Sequence, residues 1–185
     1  MSNNFFHNYN NLISECINSI DNQLLVECAE LIKNIKITGK KVIIIGNGGS
    51  AAMASHVAVD LTKAAGCRSI TFNEADLLTC FANDYGYDKW VIKALEFYAD
   101  KGDVIILISS SGNSPNIING AKWAKDFGLK LITLSGFSDN NSLKKIGDIN
   151  LWAQSTGYNI VEMTHHIWLV AIVDFIIGKI EYKAN

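Results

Sequence analysis

The chain has 185 residues, enough for one well-filled domain and short for two. Its 49% hydrophobic and 18% charged residues read as globular, and 16 basic against 18 acidic residues exclude the positive excess of a general nucleic-acid binder. No apolar run reaches the ~18 residues of a membrane span; the longest candidate, 167–178, is interrupted by Asp174. The start, MSNNFFHNYNN, lacks the basic opening and apolar stretch of a signal peptide. Cys16, Cys28, Cys67 and Cys80 show no CxxC spacing, so a cytoplasmic protein with reduced thiols is expected, Cys80 being read as a small core residue.

Residues 1–38 form the first unit of pattern. Leu12, Ile13, Cys16, Ile17 and Ile20, then Leu24, Leu25, Cys28, Leu31, Ile32 and Ile35, recur at helical spacing, with Asp21 a plausible helix start between them. One long or two consecutive amphipathic helices are expected, packing against partner subunits. From residue 39 to 185, strands and helices alternate. Short β-branched runs at 41–46, 69–72, 103–109, 130–136 and 148–153 predict five strands. Helical patterns cover 50–65, 74–82, 89–98, 114–127 and 162–180, with a shorter candidate at 142–146; Pro115 suits a first helical turn and Gly128 a stop. Strands buried on both faces and separated by helices predict a single α/β domain. Its architecture is a three-layer αβα sandwich on a five-stranded parallel sheet, in which ligands sit at the carboxyl ends of the strands.

Two turns fall at such ends. GNGGS (46–50) follows a strand and opens a helix, so its glycines and free N–H groups can approach an anionic ligand. It is neither a GxGxxG fingerprint nor a P-loop, and alone it could be an ordinary tight turn. SSSGNSPN (109–116) crowds Ser109, Ser110, Ser111 and Ser114 at the next strand-to-helix junction. One serine there would be a helix cap, whereas this cluster of hydroxyls and N–H donors suits a phosphate monoester.

GNGGSAAMASH, then ANDYGY (82–87), then ISSSGNSPNI, in this order and spacing, resemble the sugar isomerase (SIS) domain and, within it, the phosphoheptose isomerases. The resemblance covers nearly the whole chain. It implies ketose–aldose isomerisation of sedoheptulose 7-phosphate or a related sugar phosphate, in the supply of heptose precursors for surface polysaccharides. It also implies a homotetramer with sites between subunits, and zinc in many members. By position it places phosphate on Ser109, Ser111 and Ser114, with Ser110 beside them. The sugar falls on Asn47, Gly48, Gly49 and Ser50, and Asp84 matches an acidic site residue.

His56 and Asp60 lie four apart on a predicted helix and share a face. Near the C-terminus Glu162 precedes His165 and His166 at helical spacing. Two imidazoles and two carboxylates could hold a divalent ion; a plain surface pair is the bland alternative. The resemblance sharpens the set to His56, Asp60, Glu162 and His165, with zinc the expected metal, Asp60 the base, His165 its acid–base partner and Glu162 also touching substrate. It also exposes departures. The family carries glutamate where Asp60 stands, glutamine where Glu162 stands, and a second histidine where Val170 stands, so His165 or His166 takes that role. The competing classes are an isomerase, which needs carboxylate and histidine; a sugar-phosphate-binding regulator, which needs only the serines; and a structural oligomer, which needs neither.

Overall fold

The computed structural model describes residues 2–181. Two helices come first, α1 (Ser2–Asn18) and α2 (Asn22–Thr38). The chain breaks between them at Asp21, whose carboxylate accepts a hydrogen bond from the Gln23 N–H at 2.9 Å and caps α2. The core then runs β1 (Val42–Gly46), α3 (Gly49–Lys63), β2 (Ser69–Thr71), α4 (Ala75–Tyr85), a 3-10 turn (Tyr87–Lys89), α5 (Trp90–Tyr98), β3 (Val104–Ser109), α6 (Pro115–Asp126), β4 (Lys130–Ser135), β5 (Ile149–Trp152) and α7 (Tyr158–Ile177). The five strands are all parallel, in the order β2-β1-β3-β4-β5.

The two-residue period of the strands sorts their side chains into two cores. Ile44, Ile106, Ile108 and Leu134 face a cluster with Ile32, Val57, Trp168 and Leu169, from α2, α3 and α7. Ile43, Ile45, Ile105 and Leu107 face Trp90, Leu95, Ile117 and Ala121, from α5 and α6. Burial on both faces is why β1 and β3 read as unbroken apolar runs. Burying one such side chain is worth about 1.5–3 kcal/mol.

The N-terminal helices do more for their own subunit than expected. Cys28, Ile32 and Ile35 of α2 join the first core, as does Cys16 of α1, beside which the Trp168 indole N–H donates to the Ile17 carbonyl at 3.0 Å. Phe5, Phe6 and Leu12 stay exposed. Residues 142–146 form a turn rather than a helix. Cys80 is exposed on α4, not in the core, because α4 buries none of its residues. Helix α7 has the length and hydropathy of a membrane span, but it packs on α1, α2 and α3 with Ile160, Val161, Trp168, Leu169, Ile172 and Val173 buried. It begins at Tyr158, one turn earlier than the apolar pattern suggests.

Candidate active site

Parallel register brings the ends of β1, β3 and β4 level: Gly46 pairs with Ile108, and Ser109 with Ser135. The turns that follow therefore open on one side of the sheet. Together with the start of α7 they enclose a cleft of about 280 Å³. Asn47, Gly48, Gly49 and Ser50 line one wall, Ser109, Ser110, Ser111 and Ser114 the floor, and Tyr158 and Glu162 the other wall.

The serine turn is tightly built. The Ser109 and Ser114 hydroxyls lie 3.0 Å apart, and the Ser111 hydroxyl accepts the Asn113 N–H at 3.2 Å. The Ser110 carbonyl accepts the Gly136 N–H at 2.9 Å, tying the turn to β4. Gly112 has φ +65°, and a Cβ there would collide with the Asn141 side chain. Ser114 is the residue before α6, with Pro115 at its first position, so the helix presents free N–H groups and the positive end of its dipole to the floor. Among the described residues, no lysine or arginine lines the cleft. An anion there is held by hydroxyls, N–H groups and helix dipoles.

Glu162 reaches across to the glycine turn, where its carboxylate occupies the space that a Cβ at position 49 would fill. Glycine at 49 is thus a requirement of this carboxylate's position. One turn further along α7, His166 meets His56: His166 Nε2 and His56 Nδ1 are 3.0 Å apart, with the rings edge to face. His56 Nε2 in turn lies 3.1 Å from Asp60 Oδ2. A carboxylate only accepts, so His56 Nε2 carries the proton and Nδ1 accepts from the His166 Nε2–H. Burial holds the His166 imidazole below its ordinary pKa, with repulsion from His56 adding and Asp60 opposing.

His165 does not join this group. Its side chain is fully buried, and its Nε2–H donates to the Ser135 carbonyl at 3.0 Å. Burial pushes its pKa down to about 4. The reason is helical geometry: Glu162 and His166 are four apart and share one face of α7, of which only Glu162 lines the cleft, while residue 165 turns inward against the end of β4. The expected pairing of His165 with His56 is made instead by His166.

Asp84 is exposed on α4, where it accepts from the Asn83 side-chain N–H at 3.0 Å, and it does not line the cleft. Asp60, His56 and His166 are likewise outside the lining: they form a chain of contacts beside the cleft, with His166 one helical turn from Glu162. The four residues expected to hold zinc are not brought together, and among the described residues no three His, Cys, Asp or Glu side chains are grouped for a metal ion. In this arrangement His166 and Asp60 address opposite ring nitrogens of His56 rather than a shared point.

Three further residues shape the site without having been singled out from sequence. Tyr158 lines the cleft and packs edge to face on Phe137, centroids 4.9 Å apart. Asn116 and Tyr87 bond to Asn47. Tyr158 was hidden because Gly157, the residue before α7, offers no side-chain cap to mark the helix start. Tyr87 stood within the ANDYGY motif, but only the fold brings it to Asn47.

The chain that builds this serine-lined cleft between two strand-to-helix turns matches known proteins. The model of the SIS domain fits residues 4–136. The chain belongs to the SIS domain family. Within that family it is 37% identical over 159 residues to a phosphoheptose isomerase of Aliarcobacter butzleri, covering 83% of this chain and 82% of the relative. It is 32% identical over 177 residues to a phosphoheptose isomerase of Helicobacter pylori strain P12, covering 92% and 91%. A solved phosphoheptose isomerase from Neisseria gonorrhoeae superposes with a TM-score of 0.86 at 27% identity, covering 95% of this chain and 97% of that one. The likeness thus extends over most of the length of each of these relatives.

Proposed function

We propose that this SIS protein is a phosphoheptose isomerase, interconverting sedoheptulose 7-phosphate, or a ketose phosphate of similar length, with its aldose. The observation that carries the reading is the single cleft that joins the serine floor, the glycine turn and the Glu162 carboxylate. Phosphate sits over Ser109, Ser110, Ser111 and Ser114 at the α6 N-terminus, and the sugar runs past Asn47 to Ser50.

The reaction moves a proton between adjacent carbons through an enediol. It needs a base at carbon and a second group for the hydroxyl proton. Glu162 and His166, one turn apart on α7, supply a carboxylate and an imidazole on the same side. Glu162 takes the carbon proton, since it is the carboxylate lining the cleft. The base role expected of Asp60 passes to it because Asp60 is directed at His56. His166 carries the hydroxyl proton, with His56 and Asp60 behind it fixing its tautomer, as the third group does in a catalytic triad.

Exposed Phe5, Phe6 and Leu12 on α1, and Val59, Met163 and Ile167 on the α3 and α7 surfaces, favour a homotetramer. The unpaired cysteines fit a cytoplasmic setting. The test of the phosphate site is Ser109→Ala with Ser111→Ala. The double variant is expected to lose thermal stabilisation by sedoheptulose 7-phosphate, and undiminished stabilisation would rule the floor out.

A further inference from the structure

The two ligand-facing turns are locked to each other by one pair of amides. Asn47, after β1, donates its side-chain N–H to Asn116 Oδ1 at 3.0 Å. Asn116, in the first turn of α6, donates back to Asn47 Oδ1 at 2.9 Å. The Tyr87 hydroxyl donates to the same Asn47 oxygen at 3.1 Å. Asn116 is buried, 1% exposed, while Asn47 is half-buried and lines the cleft.

A side-chain amide offers two N–H groups and one oxygen with two lone pairs. Three of these four positions on Asn47 are taken, both acceptors among them. One N–H remains. We propose that Asn116 and Tyr87 are positioning residues for the isomerase: they hold Asn47 as a fixed single donor to a substrate oxygen at the reacting carbons.

The inference rests on the isomerase reading above. As Glu162 takes the proton from C1, the C1–H electron pair forms the C1=C2 double bond and the C2 carbonyl electrons move to its oxygen. That oxygen takes up a proton, and the enediol results. In the second half the O1 proton leaves, C1=O forms, and C2 takes the proton back from Glu162. The charge on oxygen peaks between these states. A donor already oriented towards it lowers the barrier without a reorganisation step. An amide free to rotate could turn its oxygen to the substrate instead, which would repel that charge. The lock therefore acts on turnover more than on ground-state binding.

The test is a double-mutant cycle read on kcat, KM and the Kd for sedoheptulose 7-phosphate. Asn116→Ala is expected to lower kcat by roughly 10-fold to 100-fold with KM within about twofold. In an Asn47→Ala background the same change should have no further effect, because Asn116 acts only through Asn47. Tyr87→Phe, at an exposed side chain, gives a smaller loss of about threefold that also vanishes in that background, and it keeps the question open to experiment should Asn116→Ala fail to fold. An equal loss with and without Asn47, or full kcat in both single variants, would overturn the inference. A wild-type protein without turnover would instead sink the isomerase reading. The positioning role, which is defined on turnover, then falls with it.

Discussion

Acidification should destabilise this protein through His165. Its Nε2–H is satisfied by the Ser135 carbonyl, but Nδ1 is buried with no partner. Protonation would place a second N–H, and a charge, where neither is solvated. The folded-state pKa is accordingly lowered from 6.5 to about 4. In the unfolded chain the same group binds its proton near pH 6.5. Between these values the unfolded state holds more protons, so stability rises with pH and is lost as pH falls from 6.5 towards 4. The loss amounts to ~2 kcal/mol by pH 5 and ~3 kcal/mol by pH 4, at 1.36 kcal/mol per pKa unit. Asp100 and Asp148, whose carboxyls are held below 3.8, give up their stability only at more acid pH. His166, also lowered, adds to the fall with the same sign but is unchanged by a substitution at 165. The assay is urea unfolding at pH 7 and pH 5, at one protein concentration, for the wild type and His165→Gln, which keeps a donor for Ser135. The variant is expected to be less stable at pH 7 and to show a pH dependence flatter by about 2 kcal/mol. Equal pH dependence in both proteins would refute the reasoning.

The remaining expectations concern the cleft. Gly49→Ala should displace the Glu162 carboxylate and cut kcat by about 100-fold, the scale of a ~1 Å misplacement, while circular dichroism stays that of the wild type; normal turnover would show that the carboxylate has room to move. Glu162→Gln should abolish exchange of solvent deuterium into the substrate C–H bond yet keep thermal stabilisation by the substrate, whereas Asp60→Asn should leave slow exchange of about a hundredth of the wild-type rate; the reverse ranking would return the carbon base to Asp60. Elemental analysis of protein purified without chelator should give well below one zinc per chain, because His166 and Asp60 approach His56 from opposite edges; one equivalent would show that the side chains rearrange around the ion.

The strands, their parallel pairing and both turns were legible because each rests on a local signal: β-branched runs for β1, β3 and β4, and glycine or serine clusters at their ends. The site was legible only where it lies in those turns. The choice between His165 and His166 depends on the phase of α7, and an all-round apolar helix hides its phase. Asp60 was expected to be the base from the resemblance; its spacing from His56 showed the pair they form, but not that both would stand outside the cleft lining. Asn116 looked like any polar residue in a first helical turn, and its meeting with Asn47 across 69 residues is a product of sheet register. Val170, where the resemblance calls for histidine, packs against the core, while His166 one turn earlier meets His56.

The central claim is tested most directly by following sedoheptulose 7-phosphate by NMR after adding the purified wild-type protein. The account predicts an aldose 7-phosphate growing in towards equilibrium, with solvent deuterium appearing at C2 of the aldose, and both lost in Glu162→Gln. Tight binding of the sugar phosphate with no product and no exchange would contradict it, leaving a binding protein on an isomerase fold.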